Sequence, residues 1–521
     1  MTSLKEKVYQ VIQKEVSKEV NFLVDVPDKK ATTAHLFSNV AFVLAKIEKN
    51  NPLVIADKLA HQLKDKKIFS KVENQNGFLN FWISDNFLKA ELKKILKLKN
   101  EYGFQKTKKG KIQIEFVSAN PTGPLTLANG RGGFYGDVLA NVLESVGWNV
   151  EREYYVNDTG NQILLLGKSI LAHLGIIPFQ DDFYQGEYVK EWAKKNSLRI
   201  KNIAQNPLLV GELAAQSFLK DIQNVLEKKA NIRFDRYTSE KKLHLKNYVS
   251  QVFKILKKKG YVYEKENAFW LKTTIFGDDK DRVLITKEGK PTYFLADGGH
   301  YLETKLRGFQ NKINILGPDH YGYVKRLEAI SKILGFKQSE VLITQAILIK
   351  KGEEFLKMSK RRGSFVTFED LILAVGKDVA RFFFLSQALN SHIEFDLELA
   401  KEKSSKNPLF YVEYAYVRAF KILQKTKQKP IPLKTLNDLE REIIFNLSLF
   451  PSLINEISKD YLVHKLIKYS LDLAKTFHNF YEQQKILGSE NEKEKLSLIL
   501  ALILVFQNVF YILGIQPPKK M

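Results

Sequence analysis

Cysteine is missing altogether from the 521 residues, which excludes disulfides and every thiolate zinc site. Nothing therefore points to an oxidising compartment or a zinc ribbon, and a cytoplasmic setting fits best. The N-terminus lacks the continuous apolar run of a signal peptide: Met1 to Leu23 mixes Lys and Glu with scattered apolar residues. The most apolar stretch, Leu496 to Leu513, contains Gln507 and Asn508 and follows a charged segment, so it predicts a buried terminal helix and no membrane span. Internal repeats and long low-complexity tracts are absent as well. Acidic residues are in deficit, 58 against 82 Lys and Arg, and the resulting charge of +24 favours a polyanionic partner such as nucleic acid. Arginine is itself scarce, however, at 13 of those 82. A lysine bias of that kind also arises from an AT-rich genome, so charge alone does not establish a nucleic-acid partner.

What is present is enough for several cores. Hydrophobic residues make up 44% and aromatics 12%, and a chain this long predicts three or four cooperating units. Residues 1–108 read as a helix-rich start, with amphipathic Val40 to Leu44 and Ile55 to Leu63 and a strand-like alternation from Gly77 to Ile83. The Lys-rich run Lys106 to Lys111 reads as a linker. Beyond it, Ile112 to Val117 is a short β-branched strand, followed by a Pro/Gly turn and a long helical pattern from about Ala128 to Val146. Strand, glycine-rich loop and helix in that order open a nucleotide-binding α/β unit. Trp148 to Val156 predicts a second strand, and about 168–280 an inserted domain. Strands at Arg282 to Thr286, Ile313 to Leu316 and Val341 to Ile349 would complete a split parallel sheet. From 401 to 521 the periodicity is helical, which predicts a bundle.

Two short motifs carry chemistry. Lys357-Met-Ser-Lys360, in a segment flanked by Gly352 and Gly363, offers two ammonium groups and a hydroxyl to a triphosphate, whose transfer needs cations for its developing charge. Ser118-Ala-Asn-Pro-Thr-Gly-Pro-Leu-Thr-Leu-Ala-Asn-Gly-Arg-Gly-Gly133 lies between a strand and a helix. Backbone N–H groups there, unobstructed at Gly130 and Gly132, suit a phosphate. The same glycines also fit a tight turn that serves packing only.

Taken together, several blocks resemble bacterial arginyl-tRNA synthetase, a class I family. They are Glu115-Phe-Val-Ser-Ala-Asn-Pro-Thr-Gly-Pro-Leu125, Arg152-Glu-Tyr-Tyr-Val-Asn-Asp158, Gly160-Asn-Gln162, Gly277 to Val283, Gly317-Pro-Asp-His-Tyr-Gly-Tyr323, Lys357 to Lys360, Asn407-Pro408, Tyr411 and Leu513 to Pro518. They run in the family's order over nearly the whole chain, so their joint signal exceeds that of any one. One departure stands out: the family's His-x-Gly-His signature would fall on Thr126-Leu-Ala-Asn129, where both imidazoles and the glycine are replaced.

The resemblance implies a multidomain α/β plus all-α fold. An N-terminal α+β tRNA-elbow domain (1–108) would precede a Rossmann-like parallel-sheet catalytic domain (109–400, loop 352–363), with a helical-bundle anticodon domain (401–521) last. It implies ligation of arginine to tRNA(Arg) with Mg-bound ATP, a monomer, and no protein-bound metal. Lys357, Ser359, Lys360, Asn129 and Thr126 would serve catalysis; Gly130, Gly132, Gly317, Asp319, His320 and Met358 would hold ATP. Glu115, Ser118, Asn120, Tyr293 and Asp297 would hold arginine, carboxylates being the natural receptors of a guanidinium fork. The segment Asp297-Gly-Gly-His-Tyr-Leu-Glu-Thr-Lys305 departs from the commoner family form by its paired glycines and an apparent one-residue extension. Asn80, Phe81, Tyr411, Tyr414, Tyr416 and Arg418 would meet tRNA through stacking and charge, although aromatics at helical spacing also read as core and Phe81 also reads as a filler of its own core. Three rivals remain: another class I synthetase, an inactive tRNA-binding paralogue suggested by Thr126 and Asn129, and a nonspecific basic RNA chaperone.

Overall fold

In the computed structural model, residues 2–16, 18–28, 30, 32–352, 354–355, 366–518 and 520 are described, residues 351, 354 and 355 by backbone alone. The chain forms two compact units. Met1–Thr107 joins Lys403–Tyr461 and Lys465–Met521 in the first; Lys108–Glu402 with Leu462–His464 makes the second.

The first unit opens with α1 (Leu4–Glu15), started by a reciprocal cap between Ser3 and Glu6. After β1 (Val24–Asp25) and β2 (Leu36–Ser38) come α2 (Val40–Glu48), α3 (Pro52–Leu63), β3 (Phe69–Gln75), β4 (Phe78–Ile83) and α4 (Asp85–Leu98). The four strands form an antiparallel sheet in the order β1-β2-β4-β3.

The second unit runs β5 (Gly110–Glu115), α5 (Leu127–Ser145) and β6 (Trp148–Val156). Helices α6 (Asn161–His173), α7 (Glu187–Lys195), α8 (Ser197–Lys201) and α9 (Pro207–Gln223) follow. Next are β7 (Arg236–Ser239), α10 (Glu240–Leu245), α11 (Tyr248–Lys258), β8 (Val262–Lys265), β9 (Ala268–Leu271), β10 (Arg282–Ile285) and α12 (Tyr293–Leu306). The unit closes with β11 (Asn311–Leu316), α13 (Val324–Leu334), β12 (Gln338–Ile343), β13 (Ile347–Lys351), β14 (Glu354–Phe355), α14 (Phe368–Val375), α15 (Lys377–Phe384), β15 (Ile393–Asp396) and α16 (Leu397–Lys401). Its centre is a parallel sheet in the order β12-β11-β5-β6-β7. Successive strands leave β5 in opposite directions, so the sheet has a switch point between β5 and β11, where open α/β sheets bind ligands.

Three expectations need correction. The stretch 168–280 is not one insertion, because β7 inside it belongs to the central sheet. At four residues, β7 is too short to show a period in the sequence. Strand β10 is antiparallel to β9 and forms a small three-stranded sheet with β9 and β8, not hydrogen-bonded to the parallel one. Val341 to Ile349 is not one strand: β12 ends at Ile343, and β13 joins another sheet beside β15 and β14.

Returning to the first unit, α17 (Pro408–Gln424), α18 (Asp438–Asp460), α19 (His464–Gln483) and α20 (Glu492–Leu513) form the helical end of the chain. Helix α20 is long and apolar enough to cross a membrane, but 83% of its apolar window is buried inside the protein. It packs on α17, α18 and α4, as the predicted buried terminal helix should.

Candidate active site

The parallel sheet has a mainly apolar face, with Arg152 paired to Glu144 as its buried charge, and a more highly charged one, because the side chains of each strand alternate. Ile112, Ile114, Ile313 and Ile315 are buried on the first. Gln113 and Glu115 of β5, Glu153 and Tyr155 of β6, Thr238 of β7, and Lys312 and Asn314 of β11 lie on the second, and α12 covers them. Thr304 donates to Gln113 Oε1 at 3.1 Å, Tyr301 to Asn314 Oδ1 at 2.8 Å, and His300 Nε2 lies 2.8 Å from Glu153 Oε2. Lys312 is fully buried between the carboxylates, its Nζ 3.3 Å from Glu115 Oε2 and 3.4 Å from Glu153 Oε2. Burial alone would raise the Glu153 pKa, yet His300 and Lys312 outweigh it and hold that carboxyl well below the usual range. Glu115, Glu153 and His300 offer metal-type ligand atoms within 4.8 Å of one another. Lys312 already supplies positive charge at that point, so a divalent cation would overcompensate the pair.

At the carboxyl end of β5 the chain turns sharply. Val117 and Ser118 have φ of 67° and 37°, a strained left-handed conformation for residues that carry a Cβ and a cost of order 1–3 kcal/mol each. The turn folds Ser118 back so that its hydroxyl donates to Glu115 Oε1 at 3.2 Å and accepts from Tyr155 N at 3.0 Å. Asn314 Nδ2 donates to the other oxygen of Glu115 at 2.5 Å. Glu115 is thus fixed from both sides. Asn120, beyond the turn, donates its amide to Gln162 Oε1 at the start of α6.

Thr292 caps α12, so Tyr293 and Asp297 stand four residues apart on one helical face, as their spacing predicts. Tyr293 is 55% exposed, and a Cβ built on Gly160 would meet its hydroxyl at 3.6 Å, so the ring lies over the turn after β6. Burial, then the charges of Glu115 and Glu240, push the Asp297 carboxyl well above the ordinary range, against the opposing pull of Lys312 and Arg326. Glu240, buried at the end of β7, is raised by burial more than His244 lowers it, and it accepts a hydrogen bond from Tyr155. Three carboxylates from three elements therefore crowd one place. The paired glycines after Asp297 serve packing: a Cβ on Gly299 would lie 3.1 Å from Val249 N of α11.

Glu240, Tyr155, Lys312 and His300 escaped the sequence reading. Lys312 and Asn314 left a trace, since two polar side chains two apart in an otherwise apolar strand must share a face. Glu240 left none, because nothing marks β7 as a strand of the central sheet.

Thr126 is the N-cap of α5 and Asn129 its third helical residue. Thr126 Oγ1 accepts from Asn129 N at 3.3 Å, and Asn129 Oδ1 accepts from Thr126 N at 3.0 Å and Thr126 Oγ1 at 2.8 Å. Gly130 and Gly132 sit in the helix's first turns. Gly317, Asp319 and His320 follow β11 beside the end of β5, the last two exposed, with the His320 ring edge-on to Tyr323 at 5.7 Å. Lys357, Met358, Ser359 and Lys360 lie outside the described residues.

In the first unit, Tyr411, Tyr414 and Arg418 cluster on α17. Arg418 packs over the rings of Tyr414 at 4.5 Å and of Tyr481 at 4.4 Å, and Tyr414 stacks on His478 at 5.8 Å. Tyr416 is core, its ring edge-on to Phe510 at 5.6 Å. Phe81, expected at the tRNA elbow, is corrected too: it is fully buried and stacked on Phe69 at 4.8 Å, so it has no face to offer RNA. Asn80 is 4% exposed, and its amide donates to Gln75.

Three family models match: an arginyl-tRNA synthetase N-terminal domain over residues 2–83, a class I (R) tRNA synthetase catalytic domain over 91–382, and a DALR anticodon binding domain over 412–521. A relative from Nitratiruptor sp., named arginine–tRNA ligase, is 36% identical over 98% of this chain and 99% of its own. One of the same name from Aquifex aeolicus is 36% identical over 99% of both. The solved arginyl-tRNA synthetase of Thermus thermophilus superposes with a TM-score of 0.82 over 99% of this chain and 100% of its own, at 20% identity, a likeness of fold.

Proposed function

The chain belongs to the arginyl-tRNA synthetase family, and on that premise we propose that arginine and ATP meet where the carboxyl ends of β5, β6, β7 and β11 face α12 and the start of α5. The enzyme is an arginine–tRNA ligase that uses ATP. In the first step the arginine carboxylate attacks the α-phosphate; the new O–P bond replaces the one to pyrophosphate. In the second, a ribose hydroxyl of the terminal adenosine attacks the acyl carbon, and AMP leaves. By family resemblance, bound tRNA is required for the first step.

Asp297 carries the proposal for the amino acid. With Glu115 and Glu240 it crowds carboxyl groups so that Asp297 holds its proton more tightly, and a guanidinium, whose donors form a fork that suits several carboxylates at once, would displace that proton and relieve the repulsion. Asn120, Ser118 and Tyr293 line the same place and would orient the rest of the substrate. The unpaired N–H groups of the first turn of α5, beside Gly132 and the Asn129 side chain, and the Gly317–His320 turn would receive the phosphates and adenosine, with Gly130 admitting the Phe368 ring behind them and Mg2+ arriving as part of the ATP complex. Lys360 would contact phosphates in the transition state while Lys357 and Ser359 steady it and Met358 helps to hold ATP, so catalysis is positioning and charge stabilisation without a covalent nucleophile. Cytoplasmic location and a monomeric state complete the proposal; sedimentation tests the latter.

The deciding experiment is arginine-dependent ATP–pyrophosphate exchange with tRNA(Arg) supplied. Exchange in the wild type, lowered at least roughly tenfold in Lys360→Ala with tRNA affinity unchanged, is expected. A protein that binds tRNA but never exchanges pyrophosphate is a catalytically inactive paralogue.

A further inference from the structure

Arg131, in the second turn of α5, is fully buried, yet among the described residues its partners are main-chain carbonyl oxygens and no carboxylate. Nη1 donates to Gln345 O at 3.1 Å and Ser391 O at 2.7 Å, and Nη2 to Ala388 O at 2.7 Å, while Nε has no partner. Burial pulls the guanidinium pKa down to about 10. A cation held dry by carbonyls alone is an expensive way to fill space, since an apolar residue of similar volume would avoid the desolvation cost.

Its partners explain what it does. Gln345 stands two residues before β13, and Ala388 and Ser391 stand just before β15; Gln345 N donates to Leu389 O at 3.1 Å, and the two strands then pair in parallel. One guanidinium therefore ties α5 to the root of both strands. The other flank of the 352–363 segment is tied to the same helix. Phe368, the first residue of α14, donates its N–H to Leu125 O at 2.9 Å, and its ring lies where a Cβ on Gly130 would be, 2.1 Å away. Only glycine at 130 admits this contact. Strand β13 before residue 352 and helix α14 after 365 are thus both pinned to the first two turns of α5.

We propose that Arg131 is a positioning residue for adenylate formation: it fixes the strand leading to Lys357 and Lys360 against the phosphate-receiving start of α5. This rests on the function proposed above. Misplacement of a catalytic group by about an ångström from a distant change costs up to roughly a hundredfold in rate. Amino-acid binding uses other elements and is untouched by it.

The test compares Arg131→Lys and Arg131→Ala with wild type in ATP–pyrophosphate exchange with tRNA(Arg), alongside arginine affinity by calorimetry and thermal midpoints. Lysine keeps the charge but not the fork, so Arg131→Lys folds and its exchange kcat falls roughly tenfold or more, with arginine affinity unchanged. Millimolar guanidinium restores part of the kcat of Arg131→Ala by refilling the same carbonyl cradle. Wild-type kcat in both variants would overturn the inference. So would a parallel fall of kcat, arginine affinity and thermal midpoint that guanidinium does not reverse, the mark of a purely structural arginine. A silent wild type would overturn both readings, whereas an active wild type with unaltered variants overturns this one alone.

Discussion

Asn129 Oδ1 accepts from both the backbone N–H and the hydroxyl of Thr126, at 3.0 and 2.8 Å, so the two residues that the resemblance sets at the family's histidine positions are hydrogen-bonded to each other. Each hydrogen bond satisfies or aligns groups at the helix end that would otherwise lack an intrahelical partner. Thr126→Val, which keeps the shape and removes the hydroxyl, should cost about 1 kcal/mol of stability. Replacing Asn129 by His would sacrifice the reciprocal bond as well. Urea unfolding checks this: an unchanged midpoint in Thr126→Val would show that the cap contributes nothing.

Asp297, on the proposed function, should make arginine binding pH-dependent. Its folded-state pKa is raised, chiefly by burial and then by Glu115 and Glu240, above the usual 3.8. Its contribution to stability is therefore complete below 3.8 and is lost as pH rises through the raised value. Above that value the ionised carboxylate repels its neighbours until a guanidinium arrives. Arginine affinity should accordingly rise with pH across this window, with proton release on binding, and Asp297→Asn should flatten the profile. Calorimetry in two buffers of different ionisation enthalpy measures the protons; identical heats throughout the window would refute the coupling.

Much of this was legible in the sequence, for reasons that name its limits. Trp148–Val156 is a long strand beside a long helix, and its period and length leave little room for error. The positions of Glu115, Ser118, Asn120, Tyr293 and Asp297 came from motif blocks, and the backbone brings them to one sheet edge and the helix above it. What could not be read is the pairing of charges across distant elements. Lys312 lies 199 residues from the Gln113 side chain that it bonds. Only the register of β11 on β5 puts them together, and no local period encodes it. Of its two readings Phe81 takes the core one, because a motif frame says where a residue is in the chain, not which face of a strand it occupies.

Lys312 should be indispensable to the second unit. Removing its ammonium group with Lys312→Met would leave Glu115 and Glu153 buried at close quarters, a loss of about 3–5 kcal/mol for breaking a buried pair. Glu153 is held below its usual value of 4.5, so its contribution to stability is present above 4.5 and lost as pH falls through the depressed value. Without Lys312 that value rises, and acid unfolding, followed by circular dichroism, should move to higher pH. Coincident acid transitions for variant and wild type would mean that Lys312 does not govern Glu153.

Tyr414 and Arg418 should act on tRNA and not on the small substrates. Tyr414 is 39% exposed and its ring is held in place by Arg418 and His478, so a rigid aromatic ring is offered to an unpaired base. Burial and then Arg418 lower the His478 pKa, against the pull of the Tyr411 carbonyl, which keeps that ring neutral and suited to stacking at neutral pH. Loss of one base–aromatic stack costs about 1–3 kcal/mol. Tyr414→Ala should therefore raise the KM for tRNA(Arg) roughly tenfold, at 1.4 kcal/mol per factor of ten, and leave arginine affinity measured without tRNA unchanged. Tyr414→Phe should retain most of the binding, because the ring face and not the hydroxyl meets the base. If the alanine variant charges tRNA with an unaltered KM, the Tyr414 face is not an RNA contact and its stacking serves only the bundle.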